Sequence, residues 1–573
     1  MSAVATRLPP GLFALAIVGA AVVGLLGGTH ALVSHSMSQG LAVAGQHVEA
    51  PATGGATPEV WAEPQPAQQA ADGAHSLVLN ALVHSAGELV YAAGAQRGPH
   101  HYGTDGYADA GTDYYDAVLI AYEQAGEARW VRTAGGASEG SSFRSVSTGR
   151  DGMVYAGGWS RGDGPVDLGG GVTLEPTTSG TTAILIAYDS DGLVRWAASP
   201  RWEEWDPWGW LLRRLPGKRS EAERAARSAF QSVAVDWAGN VYAAGAQSGT
   251  DVYHYGEEVA RATARGANAL LVKYDSAGNA RWARTVGSGA GSSTFLSVAV
   301  DDGGYVYAAG YQDGTDALSY GTGAIGRGDS DRTNAVLVKY APDGTAEWVR
   351  TATGSGSASR FVSVAVDSEG NVYVAGSHTG TESSTYGAGV RIAGSSSKEN
   401  PVLVSFASDG STRWARTSAG SAWSASFRRV TVGQNEMVYV AGSQYGTGEL
   451  NYGDGVLVTG VSRLGNPVLV GYTRDGIARW AAIGTADQYG PAFGAVAAYG
   501  QEGVLAVAVQ PHTVCDNTLA EGGARAGGEI TAYSSKVLRI HRSRKYLTTR
   551  VIKHDRSHRS GGRVRPLRHG SNR

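Results

Sequence analysis

Between Phe361 and Trp414 the chain alternates apolar and polar positions in two bursts. The first, FVSVAVDSEGNVYVAG (Phe361–Gly376), is an alternating run, a polar turn holding Gly370, and a second apolar run. The second, PVLVSFASDGSTRW (Pro401–Trp414), repeats that plan around Asp409 and Gly410. Successive side chains of a strand point to opposite faces, so period-two alternation broken by a short Gly turn predicts a β-hairpin. Two such hairpins in tandem predict one small, twisted, antiparallel sheet of four strands.

The pattern recurs along most of the protein. A Tyr in a VYxxG run stands at Tyr91, Tyr155, Tyr242, Tyr307, Tyr373 and Tyr439, and Leu505 holds the slot in a degraded copy. The second hairpin ends on Trp130, Trp196, Trp282, Trp348, Trp414 and Trp480, the last four spaced 66 residues apart. Phe143, Phe230, Phe295, Phe361, Phe427 and Phe493 each lie 12 residues before their Tyr or Leu. Six of the 8 Phe in the chain therefore serve the repeat. Both series jump once, which places a single insertion at Arg201–Ala222.

A four-stranded sheet cannot bury both faces alone. Stacking such sheets around an axis buries them between neighbours, and large aromatics at fixed slots suit that packing. The expected fold is all-β: a single β-propeller of seven four-stranded blades over residues 75–540, with flexible termini. Seven first hairpins and six clear second hairpins are present. The missing strands are assigned to Glu59-Val60-Trp61-Ala62 and Glu529-Ile530-Thr531-Ala532-Tyr533, one from each end of the chain. A solenoid of the same units, or two blades per period, is the competing arrangement.

The pair SVAVDSEGNVYVAG and PVLVSFASDGSTRWAR resembles the SBBP family of bacterial β-propeller repeats. The resemblance spans roughly residues 75–540. It implies the propeller fold and a secreted or surface location, since the family's members are mostly secreted or surface proteins of unassigned role. It adds little about activity.

Composition agrees with a turn-rich β-protein: 83 Gly in 573 residues, and only 17% charged. Residues 1–31 carry Arg7, then an apolar run from Gly11 to Gly28, then small residues at Thr29-His30-Ala31. That order reads as a cleaved signal peptide, with an uncleaved membrane anchor as the competing reading. Either places the propeller outside the cytoplasm. Residues 32–74 read as a flexible linker rich in Ala, Gln, Pro and Gly. Cys515 is the single cysteine, so no internal disulfide is expected and it is read as a bystander. From Lys536 to Arg573 there are 13 Lys or Arg and one acid, Asp555. Residues 541–573 read as a basic, disordered tail that is either solvated or drawn to a polyanion.

Connections in a four-stranded meander alternate between its two ends. The turns VDSEGN and ASDG then share one face. The long connectors Ser377–Asn400 and Ala415–Ser426 share the other, and the former is expected to fold a small hairpin of its own. Binding residues belong on that thick face. The candidates are Tyr255, Tyr320, Tyr386 and Tyr452, each followed by Gly, and the insertion's Trp202, Trp205, Trp208 and Trp210. The insertion is read either as a grip on a sugar, partner or membrane surface, or as a lid on its own propeller. Arg327 and Asp329 belong to a GRGDS sequence, and Arg161-Gly162-Asp163 is a second RGD; these resemble the tripeptide by which fibronectin-type ligands engage integrins.

Other motifs fail on context. Asp189-Ser190-Asp191-Gly192 lacks the further acids of a calcium loop and is read as a turn. Gly136-Ala137-Ser138-Glu139-Gly140 matches GxSxG but leads into a strand, not a helix. His100, His101 and His254 show no metal-ligand spacing. The expected function is an exported, non-catalytic binding propeller, a monomer with no cofactor, engaging a protein or carbohydrate through its long-loop face. The alternatives are a quinoprotein-like propeller enzyme, whose Gly-to-Trp repeat YDSDGLVRW resembles, and a structural envelope protein or adhesin.

Overall fold

The computed structural model describes residues 56–62, 65–66, 76–203, 227–484, 492–514 and 530–542, apart from short gaps within these spans. The expected signal segment, most of the expected linker, Trp205, Trp208, Trp210, Cys515 and the tail beyond Arg542 lie outside the described residues. The described residues are all-β and propeller-like, with no helix. They form seven antiparallel four-stranded sheets, numbered here in chain order from the sheet that begins at Ser76. The fifth sheet shows the plan: Ser359–Val366, Val372–Thr379, Glu399–Phe406 and Thr412–Arg416, hydrogen-bonded in that order. The seventh sheet orders Ala492–Tyr499, Gly503–Val514, Ile530–Arg542 and, outermost, Ala56–Ala62 from the other end of the chain. The two segments assigned from sequence are thus in one sheet. Ile530–Arg542 runs into the expected tail at residues 541–573, so Arg542 is a strand residue, as are Lys536 and Arg539 before the boundary.

Every first strand contains a bulge directly after its Phe slot. In the fourth sheet Phe295 faces Gly310 and Ser297 faces Ala309, which leaves Leu296 as the extra residue. This explains the Gly of the VYxxG run. A Cβ on Gly310 would lie 1.9 Å from the Thr294 carbonyl oxygen, and one on Gly376 would lie 2.0 Å from that of Arg360. In the six sheets that carry this Gly, the absence of a side chain lets the strand approach the bulge; the seventh sheet has Ala508 there.

The first strands pack side by side in sequence. Each touches the first strand of the next sheet, and Ala492–Tyr499 touches Ser76–His84. All six repeat Phe are buried between sheets. Trp130, Trp282, Trp414 and Trp480 are buried as well, and Trp196 and Trp348 are half-buried. Each Trp rests against the VYxxG Tyr of its own sheet, with ring centroids 5.7–6.1 Å apart. Five of them also reach the neighbouring sheet: Trp130 Nε1 donates to the Ser190 carbonyl at 2.8 Å, and Trp282 Nε1 to that of Pro342 at 3.1 Å. Where an Arg follows two places later it adds a second bond, as Arg350 Nε does to the Gly410 carbonyl at 2.6 Å. The aromatic slots thus do two jobs, apolar burial and a directional bond across the sheet boundary.

Candidate binding face and central channel

The long connector expected over Ser377–Asn400 does form a small hairpin, Ser383–Thr385 with Arg391–Ala393. Its counterparts are Val252–Tyr255 with Glu258–Arg261, Ala317–Gly321 with Ala324–Arg327, and Glu449–Asn451 with Leu457–Thr459. Each hairpin pairs with the connector that leaves the preceding sheet: Arg201–Glu203 with Val252–Tyr255, Ala419–Gly420 with Glu449–Asn451, and Thr353 bridged to Thr385. The two kinds of long connector therefore share one face, as the meander rule requires. Gln65–Pro66, which follows the outermost strand of the seventh sheet, pairs with His100–Tyr102 of the first sheet in the same way.

A recurrent Asn clamps this face. Asn334 Nδ2 donates to the Gly314 carbonyl at 2.9 Å, where the connector begins, and its Oδ1 accepts from Ser330 N–H at 2.8 Å, where it ends. Asn268, Asn400 and Asn466 repeat the arrangement. These residues recur 66 apart in the sequence, which is the signal that could have found them.

Four candidate residues need correction. Tyr255, Tyr320, Tyr386 and Tyr452 are buried, at most 2% exposed, and offer no surface to a partner. Each lies on the inward side of its small hairpin and rests on the repeat Phe of its own sheet, as Tyr320 does on Phe295 at 5.7 Å. Burial pushes the Tyr320 and Tyr452 hydroxyls well above their ordinary range. Three of the four donate to a buried Gln: Tyr255 to Gln247, Tyr320 to Gln312 and Tyr452 to Gln444. A Tyr-Gly step reads as a loop aromatic, but here it fastens the hairpin to the sheet.

Trp202 is half-buried against the third-sheet core, and its Nε1 donates to Asp251 Oδ2 at 3.2 Å. Arg327 is exposed on the long-connector face. Asp329 is exposed too, but its carboxylate accepts from the Gly354 N–H at 2.5 Å. In the other RGD, Arg161 pairs with Glu139 at 2.7 Å and Asp163 accepts from Ser138 Oγ at 3.1 Å. Both acids hold local backbone in place. Asp189 is a turn cap: its Oδ1 accepts from the N–H groups of Asp191 and Leu193. Among the described residues no cluster of His, Cys, Asp and Glu is arranged to hold a metal ion. No helix among them is long and apolar enough to cross a membrane.

Two features of the face were not singled out from sequence. The first is Trp423, 63% exposed in the connector between the fifth and sixth sheets. Its N–H donates to the Tyr445 carbonyl, and the adjacent Gly446 N–H donates to the carbonyl of Leu464. Leu464 and Val461 are exposed as well. An exposed indole on one connector and two exposed aliphatic side chains on the next thus lie on the same face, with the connectors joined by the Trp423–Tyr445 backbone bond.

The second is a central cavity of about 350 Å³, lined by residues from the first strands of all seven sheets. A ladder of serines runs along its wall. Ser145 Oγ accepts from Val233 N–H at 3.0 Å, Ser232 Oγ from Val298 N–H, Ser297 Oγ from Val364 N–H and Ser363 Oγ from Val430 N–H, the last three at 3.1 Å. Each bond stitches one sheet to the next. The ladder ends at the sixth sheet, where Arg429 takes the serine's slot. Arg428 and Arg144 occupy bulge slots beside it.

No family model matches the chain, and no curated protein matches it. The resemblance to SBBP repeats thus has no family-model match behind it. Among solved structures, the chain is similar to a protein of unknown function from Dyadobacter fermentans, with 9% identity, coverage of 84% of this chain and 99% of that one, and a TM-score of 0.34. It is also similar to a quinohemoprotein alcohol dehydrogenase from Pseudomonas putida, with 10% identity, coverage of 86% and 80%, and a TM-score of 0.31. At these values neither likeness bears on function.

Proposed function

We propose that the seven sheets close into one seven-bladed propeller, exported from the cytoplasm, that binds a partner on its long-connector face without catalysing a reaction. The closure rests on Ala56–Ala62 completing the seventh sheet and on Gln65–Pro66 joining the first sheet's hairpin. The binding reading is carried by one observation: exposed Trp423 is hydrogen-bonded through its backbone to the start of the neighbouring connector, which is clamped by Asn466 and carries the exposed Val461 and Leu464. An exposed Trp among aliphatic neighbours suits an apolar patch on a protein better than a sugar ring, and Trp is over-represented among residues that dominate binding energy. The surface is preorganised, so little ordering cost falls on binding.

The test is Trp423→Ala in a screen of the exported domain against protein and glycan arrays. Because the side chain is exposed, the substitution should change stability by less than about 0.5 kcal/mol. It should weaken retention of any protein partner about tenfold or more, equivalent to about 1.4 kcal/mol. Retention by glycans alone would move the assignment to a carbohydrate. Unchanged retention of every partner would overturn the role of this face.

A further inference from the structure

Three guanidinium groups gather at the central cavity, two of them in its wall, and no acid among the described residues lines it. Arg144, Arg428 and Arg429 come from the second and sixth sheets, and each is half-buried. Arg144 and Arg429 line the cavity, and no Asp or Glu is among the described residues of its wall. Arg429 donates to the carbonyls of Arg428 and Asn80, at 3.1 and 3.4 Å. Arg144 Nε and Arg428 Nε are buried without a hydrogen-bond partner. The Arg144 guanidinium lies 5.9 Å from the ring centre of Trp159.

Such a group of cations works against folding. Burial first, then the like charges of Arg428 and Arg144, push Arg429 down to about 10. Burial lowers Arg144 as well. A repeat that installs a neutral serine in this slot in four other sheets had an uncharged solution available. Arg429 in its place adds positive charge that no acid of the wall compensates, and Arg144 and Arg428 keep buried N–H donors unsatisfied, unless something supplies both. Guanidinium forks match the oxygens of carboxylate, phosphate and sulfate groups. The volume is in the range of small-ligand sites.

We propose that the channel binds a small oxyanion, or the oxyanion group of a small ligand, between Arg144, Arg428 and Arg429. Ser145, on the same strand as Arg144, and Gln231, on the first strand of the third sheet, line the same cavity and supply neutral polar groups around the charged core. The site is separate from the Trp423 patch and does not require a macromolecular partner.

The experiment titrates phosphate, sulfate and citrate into the full chain in chloride buffer by calorimetry, with melting temperature followed in parallel. Two variants are used: Arg144→Gln, and Arg429→Ser, which gives the sixth sheet the serine of its neighbours. Wild type should bind one equivalent of at least one of these anions and melt higher in its presence, because a ligand that binds only the folded state stabilises it. Tightest binding of phosphate or sulfate identifies an inorganic anion, and tightest binding of citrate identifies an organic acid. Each variant should weaken binding at least tenfold. In chloride alone each should melt at or above the wild-type temperature, because a repelling charge is gone; in saturating anion that order should reverse. Trp423→Ala should leave the titration unchanged. The proposal is overturned if none of the three anions binds, or if both variants lose as much melting temperature in chloride as in anion, which would make the cluster structural.

Discussion

Trp414 Nε1 donates to the Arg474 carbonyl at 2.9 Å, across the boundary between the fifth and sixth sheets. Two residues on, Gly476 has φ of +76°, and a Cβ there would lie 2.7 Å from Trp414 Cδ2. The indole lies against a turn that has to be glycine twice over, once for backbone conformation and once for space. Gly455, in the turn of the small hairpin Glu449–Asn451 with Leu457–Thr459, has φ of +79° with nothing within 4 Å of a Cβ. Gly455→Ala should therefore cost only the left-handed backbone penalty, about 1–2 kcal/mol. Gly476→Ala should cost about 1–3 kcal/mol more, from overpacking against Trp414. Urea titration of both variants checks the difference, and equal losses would mean that the indole contact is not a tight one.

The serine ladder makes a second quantitative expectation. Ser297→Ala removes the acceptor of the Val364 N–H inside a sheet boundary and should destabilise by about 1–3 kcal/mol. Ser297→Thr keeps the hydroxyl but adds a methyl group on a wall where Ser297 is buried. It should recover only part of the loss. Denaturant midpoints at constant m-value give the answer.

His378 yields a pH dependence. It occupies the slot that Gln247, Gln312 and Gln444 hold in other sheets. It is buried, with Nδ1 3.1 Å from Ser384 Oγ, and its Nε2 has no partner among the described residues. Burial lowers it from 6.5 to about 4. The unfolded chain takes up a proton as pH falls below 6.5 and the folded one does not. This contribution to stability is therefore whole above pH 6.5 and is lost as pH falls from there towards about 4, at roughly 1.4 kcal/mol per unit. His378→Gln should abolish that part of the pH dependence. It should also add about 1 kcal/mol at neutral pH, by giving Tyr386 the amide partner that its counterparts have. Thermal melts from pH 4 to 8 on both proteins test it; parallel curves would contradict the assignment.

Much of the fold was legible because the repeat writes its packing in rare letters. Phe and Trp are few, each recurs in register, and burial between sheets is the physical reason for both. The seventh sheet was legible only as two loose strands, since Leu505 has lost the Tyr and the outermost strand lies more than 400 residues away at Ala56–Ala62. The long-connector face was legible as a face and misread in detail. Tyr320 and its counterparts follow the alternation of a two-stranded hairpin, with Leu318 and Tyr320 inward, so their aromaticity marked a core and not a ligand. The arginine cluster escaped a search for periodicity because it is a departure from the period. Arg429 stands where Ser145, Ser232, Ser297 and Ser363 stand in other sheets, and aligning the repeats slot by slot is what brings it out.

The closed ring is tested most directly where the two ends of the chain meet. Thr57 and His541 are register partners in the seventh sheet. Paired strand residues have Cα atoms about 4.5–5.5 Å apart, within reach of a disulfide. In a Cys515→Ser background, Thr57→Cys with His541→Cys should oxidise to an intramolecular disulfide that raises the melting temperature. Thr57→Cys with Ile530→Cys, at the far end of the same strand, should not. Failure of the first pair to cross-link in folded protein, or equal cross-linking of both pairs, would contradict a ring joined by its two ends.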